Sequence, residues 1–399
     1  MADVELDQVV VRKGDAEVLR GVDLFAETGR VLGIVGASGS GKTSVLRAIA
    51  GLDRVSEGSV RFDGSDVTRT APADRNVAFV FQNPALYPTR TVARNISFPL
   101  EMRHDSAEEI RRRVDAEARA HHIMALLAKS PPQLSAGEAQ VVQIARAMVR
   151  SPAVLLLDEP FAHLDLQRAA RLRGEVSVIQ QGFGATTVLA TNDSLDVMSL
   201  ADQVAVIERG RITQVGPPLE VYERPRTAAA ALMTGDADVI EVQVATDDIG
   251  SWLEHPGFRL RAWQPGLRAH RGRRLQMVVR PEWWQLDDHG PVGATVERVN
   301  RLGTTTSLWC RVGGHPLALT LAGSAHGADP GPVTGRGLSR SAPEGHTPSR
   351  CGCRPGCLRR GARRPAGFGA RRTARGRPAR RRVSWDPASP PAGPGRGRR

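Results

Sequence analysis

The fold of this chain is decided by residues 36–43, which read Gly-Ala-Ser-Gly-Ser-Gly-Lys-Thr. They fit the pattern G-x-x-x-x-G-K-[ST], in which the backbone N–H groups of a glycine-rich loop bind phosphate oxygens. The apolar run Val31–Val35 directly before the loop is typical of a strand that is buried on both faces. After the loop, apolar residues at helical spacing predict a helix: Val45, Ala48, Ile49 and Leu52. Strand, loop and helix in this order predict a site for nucleotide phosphates, and they make a chance glycine turn the weaker alternative.

A second motif, Leu-Leu-Leu-Asp-Glu at residues 155–159, places two acids at the end of an apolar strand. We expect Asp158 to hold a metal ion through water and Glu159 to accept the proton of an attacking water. In the loop, we expect Lys42 to reach the β- and γ-phosphates and the Thr43 hydroxyl to bind Mg²⁺. By itself, an acid pair at a strand end is more often a helix cap or a solvated turn. The phosphate loop upstream makes the catalytic interpretation of this acid pair the stronger one.

A third motif, Leu-Ser-Ala-Gly-Glu at residues 134–138, precedes that strand by about 20 residues. Ser135 can cap the helix that follows, and the exposed helix end with Gly137 is a second place for an anion. The motif resembles the LSGGQ signature of ABC ATPases. Gln82 in Val-Phe-Gln-Asn resembles the Q-loop of that family, and Leu164-Asp165 resembles its D-loop.

The resemblance to ABC ATPases covers about residues 4–233, and it implies an ATP site shared between two subunits. In the family, the signature of one subunit contacts the γ-phosphate bound by the other, so ATP joins a head-to-tail dimer. The residues implied for binding ATP are Gly36, Ala37, Ser38, Gly39, Ser40, Gly41, Lys42, Thr43, Ser44, Gln82, Ser135, Gly137 and Asp165. Those implied for Mg²⁺ are Thr43, Gln82 and Asp158, and those implied for catalysis are Glu159 and Asn192.

Three places depart from the family pattern. Lys13 stands near the position where the family has an aromatic ring that stacks on adenine, and a cation stacks on a purine less favourably. Asn192 stands where the family has a switch histidine, and an amide can donate to a phosphate oxygen but cannot become a cation. Ala136 and Glu138 replace the usual Gly and Gln, which puts a carboxylate near bound phosphate. We expect slow but real hydrolysis; the alternative is a degenerate site that pairs with an intact sister subunit.

Sequence between the motifs resembles one branch of the family, the ATPases of maltose-type, glycerol-phosphate and polyamine importers. The matching segments are residues 85–88, 91–92, 95–99 and 220–225. Residues 279–282 and 296–303 resemble the OB-like regulatory domain that those subunits carry. The resemblance implies an ATP-hydrolysing importer subunit for a small solute. A sugar or sugar derivative is favoured, and glycerol-phosphate or a polyamine is the alternative.

The resemblance also implies partners and a location. The partners are a second copy or a sister ATPase subunit, two membrane-spanning permease subunits and, indirectly, an external solute-binding protein. The sequence has no apolar run near the ~20 residues needed to span a bilayer, and its acidic first ten residues lack the order of a secretion signal. We therefore expect a peripheral protein at the cytoplasmic face of the cell membrane.

The predicted fold class is α/β, with three segments. Residues 1–235 alternate strand-like and helix-like stretches, as in a P-loop ABC ATPase domain, and Ser106–Glu109 is a capping box that opens a helical insert. Residues 236–322 alternate apolar and polar residues between Gly and Pro turns, which predicts a small OB-like β-barrel. Residues 323–399 have almost no large aliphatic residues, which predicts a disordered tail.

The net charge of +13 comes from this tail, which holds 18 Arg, no Lys and three acids, leaving −2 for the rest of the chain. Electrostatic binding to RNA or anionic lipid is one explanation of the tail. Translation of a GC-rich gene in a shifted frame is the other, and the abrupt end of family-like sequence near Ala322 favours it. Cys351, Cys353 and Cys357 lack a fourth ligand at normal spacing, so we expect incidental thiols rather than a metal site.

Two rival functions belong to other classes. A soluble ABC protein that acts on ribosomes or DNA would suit an Arg-rich tail, but such ribosomal proteins usually carry two cassettes, and this chain has one phosphate loop and one signature. The OB-like segment lacks the interleaved aromatic and basic residues of a nucleic-acid surface, and Trp263, Trp283 and Trp284 are more typical of packing. No specific nucleic-acid partner is therefore expected. A third hypothesis, a regulatory protein without a transport partner, is not excluded by the sequence.

Overall fold

The computed structural model describes residues 2–162, 164–262, 265–287, 291–322 and 337–340. Strands and helices alternate in the N-terminal region, which we define as residues 2–234. Its elements, in chain order, are β1 (Val4–Lys13), β2 (Ala16–Ala26), β3 (Val31–Val35), α1 (Lys42–Ile49), β4 (Glu57–Phe62), β5 (Ser65–Asp66), β6 (Val77–Val80), α2 (Val92–Glu101), α3 (Ala107–Ala120), α4 (Ala136–Met148), β7 (Val154–Asp158), α5 (Leu166–Phe183), β8 (Thr186–Thr191), α6 (Ser194–Leu200), β9 (Gln203–Glu208), β10 (Arg211–Gly216), α7 (Pro218–Glu223) and α8 (Ala228–Thr234).

A six-stranded sheet runs through this region in the order β10-β9-β3-β8-β7-β6. Its strands pair in parallel except for β10, which is antiparallel to β9. β3 and β7 are buried along their whole length, as continuous apolar runs in a sheet covered on both faces should be. Because the strands are parallel, the carboxyl ends of β3, β7 and β8 meet at one edge, where α/β proteins bind ligands.

Helix α1 packs between this sheet and a four-stranded antiparallel sheet of order β2-β1-β4-β5. Four of its apolar side chains are fully buried: Val45, Leu46, Ala48 and Ile49. The helix ends at Ile49, before the predicted end of the apolar pattern at Leu52. Gly51 has a left-handed backbone (φ 74°) and turns the chain out of the helix, so Leu52 is 40% exposed.

Helices α4, α5 and α6 cover the opposite face of the six-stranded sheet, where their apolar side chains share a core with β3, β7 and β8. The predicted helical insert corresponds to α3, and α3 packs on α4 together with α2, which precedes it. Ser106 caps α3 by accepting from the Glu109 N–H. The Glu109 carboxylate binds Arg112 and Arg113 instead of returning to Ser106, so the reciprocal half of the expected capping box does not form.

The C-terminal region, which we define as residues 238–322, is built of antiparallel strands. Its elements are β11 (Asp238–Thr246), β12 (Ser251–His255), β13 (Phe258–Ala262), β14 (Arg274–Val279), β15 (Trp284–Asp287), β16 (Val292–Gly293), β17 (Thr295–Arg301), β18 (Thr305–Val312) and β19 (His315–Ala322), followed by β20 (Gly337–Arg340). They form a seven-stranded sheet of order β14-β11-β12-β13-β16-β20-β15 and a three-stranded sheet of order β17-β18-β19.

Both sheets of the C-terminal region enclose one core. The predicted period-two pattern is confirmed, since alternate residues of β11, β18 and β19 are at most 2% exposed: Ile240, Val242, Val244, Leu308, Cys310, Val312, Leu317 and Leu319. Trp284 is buried as predicted, while Trp263 lies outside the described residues. The predicted fold class, α/β with a helical insert and a small β region, is confirmed. No helix in the described ranges is long and apolar enough to cross a bilayer.

Strand β20 lies inside the segment that we predicted to be disordered. It pairs in antiparallel fashion with β15, from Trp284 opposite Arg340 to Asp287 opposite Gly337. Backbone N–H and C=O groups are enough for such pairing, so a composition argument based on side chains does not detect it. The remainder of residues 323–399, including Cys351, Cys353 and Cys357, lies outside the described residues.

Arg280, directly after β14, joins the two regions. It is fully buried, and its guanidinium donates to the carbonyls of Ala231, Gly235, Asp236 and Tyr222 and to the Thr234 hydroxyl. Its Cζ atom lies 4.0 Å from the centre of the Tyr222 ring. We call this group the Arg280 cluster.

Candidate nucleotide site

The loop between β3 and α1 forms a backbone cradle. Gly39 and Gly41 have left-handed backbones (φ 75° and 113°), which residues with a side chain rarely adopt. A Cβ on Gly36 would lie 2.3 Å from the Ile207 carbonyl oxygen, so the loop needs glycine there to pass so close. Gly41 caps α1 without a side-chain acceptor, which leaves the first N–H groups of the helix for a ligand.

The cradle also contains the buried polar side chain of Ser40. The Ser40 hydroxyl is buried and makes no hydrogen bond, and a buried polar group without a partner is costly unless a ligand supplies one. A phosphate group offers acceptors of the kind that the loop N–H groups and this hydroxyl need. The cradle therefore fits a nucleotide phosphate.

Lys42 is only 5% exposed and lies at the centre of the site. Its Nζ donates to the Gly36 carbonyl (2.9 Å), to the Ala37 carbonyl (3.3 Å) and to Oδ1 of Asn192. It also lies 3.6 Å from Oε1 of Glu159. Burial lowers the pKa of Lys42, and the Glu159 carboxylate opposes that shift.

Thr43 and Asp158 come from neighbouring elements and touch directly. The Thr43 hydroxyl donates to Oδ1 of Asp158 over 3.0 Å. Burial raises the pKa of Asp158, and the hydrogen bond from Thr43 lowers it. Hydroxyl and carboxylate oxygens are the ligands that Mg²⁺ takes from proteins, usually one or two of them beside substrate phosphates. This pair fits that ion; nowhere in the described residues do three or more His, Cys, Asp or Glu side chains form a metal cluster.

Glu159 has an unusual backbone for a residue with a side chain, with φ 46°. Its N–H donates to the Ala190 carbonyl of β8 over 2.8 Å, which holds the strained turn in place. Burial raises the pKa of the Glu159 carboxyl, and the Lys42 charge partly offsets that shift. The strained turn places this carboxylate beside the loop lysine, at the ligand-binding edge of the sheet.

The structure brings together five of the predicted side chains at this edge: Lys42, Thr43, Asp158, Glu159 and Asn192. Gln82 lies two residues beyond the end of β6, is exposed, and makes no hydrogen bond to Thr43 or Asp158. Asn192 was expected to donate to phosphate, and its oxygen accepts from Lys42 instead. The sequence did not reveal that contact because the two residues are 150 positions apart.

The signature residues occupy a separate place. Ser135 caps α4, with its hydroxyl accepting from the Glu138 N–H (3.3 Å) and the Glu138 carboxylate accepting from the Ser135 N–H (2.7 Å). Asp165 caps α5 by accepting from the Arg168 N–H. Within the described part of this chain, no hydrogen bond or ion pair joins Ser135, Gly137 or Asp165 to the phosphate loop.

Lys13, at the position where an aromatic ring was missing, is already paired. Its Nζ lies 2.8 Å from Asp53, a buried carboxylate that also binds Arg47 over 2.8 Å. The sequence did not reveal this three-residue network, because Lys13 lies on β1 and Asp53 lies beyond α1. The Lys13 ammonium thus has a protein partner.

This fold and this site define an ATPase of the ATP-binding cassette class. Residues 19–162 match the family described as ABC transporter. The chain is 36% identical over 326 residues to an sn-glycerol-3-phosphate import ATP-binding protein of Ruegeria pomeroyi, covering 82% of this chain and 91% of the relative. It is 35% identical over 343 residues to the protein of that name from Brucella abortus, covering 82% and 93%.

Two solved structures share the fold of the N-terminal region. CbiO1 of Clostridium perfringens, part of the ABC transporter complex CbiONQ, is 29% identical with a TM-score of 0.52, over 55% of this chain and 90% of that one. The ATP-binding cassette MJ0796, a dimer in a post-hydrolysis state bound to ADP and Pi, is 27% identical with a TM-score of 0.50, over 54% and 98%. The chain therefore belongs to the ABC transporter family, among its import ATP-binding proteins. It binds nucleotide and is an ATPase.

Proposed function

We propose that this chain hydrolyses Mg-ATP between two copies and thereby drives import of a small polar solute through membrane-spanning permease subunits. The observation that carries the proposal is the grouping of Lys42 with Glu159 and of Thr43 with Asp158 at one edge of the sheet. A loop lysine, a metal-binding hydroxyl and two carboxylates are the parts that ATP hydrolysis requires.

The loop residues would hold the substrate phosphates. N–H groups of the loop would surround the β-phosphate, and Lys42 would move its hydrogen bonds from the Gly36 and Ala37 carbonyls to phosphate oxygens. Thr43 and Asp158 would hold Mg²⁺, with Gln82 completing the set after it moves toward them. The bound ion neutralises phosphate charge when it is present.

Glu159 would act as the general base. Its carboxylate accepts a proton from the water that attacks the γ-phosphorus, and the bond between that phosphorus and the oxygen of ADP breaks. Lys42 lies beside Glu159. Because the substrate phosphates give Lys42 new partners, binding of ATP releases Glu159 to orient the water.

A second subunit would complete the site. Among the described residues, no hydrogen bond or ion pair joins Ser135, Gly137 or Asp165 to the loop of their own chain, which supports their use in a second copy or a sister subunit. The MJ0796 cassette, which is dimeric with ADP and Pi bound, supports the same arrangement. The C-terminal region would regulate this dimer, and the permeases would hold it at the cytoplasmic face of the membrane.

The solute would be a sugar or sugar derivative, and the relatives favour sn-glycerol-3-phosphate. An external binding protein would deliver it to the permeases. Uptake of labelled glycerol-3-phosphate and labelled maltose by cells that carry this chain with its permeases separates the two solutes. Uptake of neither, with intact ATPase activity, would reject both.

The test of the ATP site is the substitution Lys42→Ala, with Arg54→Ala as a control because Arg54 is an exposed cation shortly after α1. Calorimetry with Mg-ATP should show binding for the wild type and for Arg54→Ala and none for Lys42→Ala. Unchanged affinity in Lys42→Ala would overturn the assignment. A wild type that binds but does not hydrolyse ATP, even with its permeases, would favour a degenerate site.

A further inference from the structure

Arg168 lies against the first turn of the signature helix α4. A Cβ built on Gly137 would be 3.6 Å from Cδ and 3.9 Å from Nη1 of Arg168, so the guanidinium stands beside the second residue of that helix. Arg168 is therefore within van der Waals reach of this helix turn, and the Leu164 side chain fills the space next to it, 3.3 Å from the same point. The first turns of α4 and α5 thus meet at Gly137 with a cation on the α5 side.

Arg168 is free to change its partner. Its Nε lies 3.3 Å from Oδ2 of Asp165, and the two side chains are 62% and 58% exposed. An ion pair between exposed side chains contributes little free energy, about 0–1 kcal/mol. A phosphate that arrives at α4 can therefore attract the guanidinium away from Asp165 at small cost.

Glu138 brings the opposite charge to the same helix end. Hydrogen bonds from Ser135 hold the pKa of the Glu138 carboxyl below its ordinary value, and the charges of Lys129 and Arg168 add to this effect. The carboxylate is therefore ionised at neutral pH. Lys129 lies 3.9 Å from it and offsets part of its charge. Around the α4 terminus two cations thus face two carboxylates, those of Glu138 and Asp165.

We propose that Arg168 and Glu138 together set how tightly α4 holds the triphosphate bound by the second copy, with Arg168 strengthening the contact and Glu138 weakening it. This inference rests on the proposed function, in which two copies close around ATP. Arg168 acts as a direct phosphate ligand from the α5 side. Glu138 repels the phosphate while its capping contacts with Ser135 keep the helix end in shape.

The experiment measures dimer formation by the full-length Glu159→Gln chain, in which slow hydrolysis preserves ATP. Sedimentation velocity with saturating Mg-ATP gives the dimer dissociation constant. Because a dimer of two copies contains two such contacts, adding Arg168→Ala should weaken it about 100-fold, or about tenfold for each charge-assisted hydrogen bond that is lost. Adding Glu138→Gln should tighten it about 25-fold, or about fivefold for each of two repulsions between charges roughly 4 Å apart in water. Glutamine keeps the cap because its amide oxygen also accepts from the Ser135 N–H.

Two further variants separate charge from structure. Arg171→Ala removes an exposed cation one turn further along α5 and should leave the dimer unchanged. Arg168→Lys should recover part of the lost affinity, because an ammonium still attracts phosphate. The difference between Arg168→Ala and its parent should shrink as salt is raised, because exposed charges are screened.

The outcomes distinguish the inference from the function on which it rests. A Glu159→Gln parent that stays monomeric with ATP, even in the presence of its permeases, rejects the shared site itself. A dimer whose affinity is the same in the parent, Arg168→Ala and Glu138→Gln rejects the inference and leaves the proposed function standing. If Arg168→Ala and Arg171→Ala weakened the dimer equally, the effect would be one of general charge, and this result would also overturn the inference.

Discussion

The Arg280 cluster offers a sharp test of what joins the two regions of the chain. Replacing Arg280 with Met keeps much of the volume and removes the guanidinium. Five acceptors then lose their donor: the carbonyls of Ala231, Gly235, Asp236 and Tyr222 and the Thr234 hydroxyl oxygen. The contact with the Tyr222 ring is lost as well. We expect the C-terminal region to become much less stable.

The size of the expected loss of stability follows from the burial of the Arg280 cluster. Each buried acceptor left without a donor costs about 1–3 kcal/mol. Residues 235–237 link the two regions, so local opening lets water reach part of this group. Removing one side of a buried charged network costs about 3–5 kcal/mol, and we expect Arg280→Met to fall in that range. Arg280→Lys should recover only part of the lost stability, because one ammonium cannot reach five acceptors.

The assay uses the position of the tryptophans. All six lie at or beyond residue 252, so their fluorescence reports on the chain after the N-terminal region. In urea, the fluorescence transition of Arg280→Met should move to lower concentration, while calorimetry without denaturant should still show Mg-ATP binding. The control is Arg274→Met on β14, because Arg274 is 80% exposed in its pair with Glu241. The reasoning would be refuted if Arg280→Met lowered the free energy of unfolding by less than about 1 kcal/mol, or if the control lowered it equally.

Two predictions concern catalysis. Glu159 must be ionised to accept a proton, and burial raises its pKa, so turnover should fall with decreasing pH at a pKa above the ordinary ~4.3 of glutamate; a pH profile of steady-state ATPase that is flat down to about pH 4.3 would contradict this. Asn192→His should raise turnover about 5- to 30-fold at nearly unchanged ATP affinity, because a cationic donor adds about 1–2 kcal/mol beside the phosphate. Turnover that is unchanged or lower would mean that the site is tuned around the amide that accepts from Lys42.

Several features could be predicted because their causes are contiguous in the chain. The phosphate loop needs only a strand, glycines and a helix within residues 31–49, and its backbone follows from those neighbours. The helix cap predicted for Ser135 spans one helical turn, and it forms, since the Ser135 hydroxyl accepts from the Glu138 N–H. The alternation in β18 and β19 follows from the pleat of a strand with one buried face.

The sequence by itself therefore determined the family, the fold class and the set of candidate site residues. Only the tertiary structure decided that Asn192 accepts from Lys42, that Arg168 lies beside Gly137, and that Arg280 is held by residues 44 to 58 positions away. It alone placed β20 beside β15. The physical reason is the separation along the chain between the residues that interact. A motif is shaped by bonds and sterics between neighbours, whereas contacts between distant residues depend on how whole elements pack.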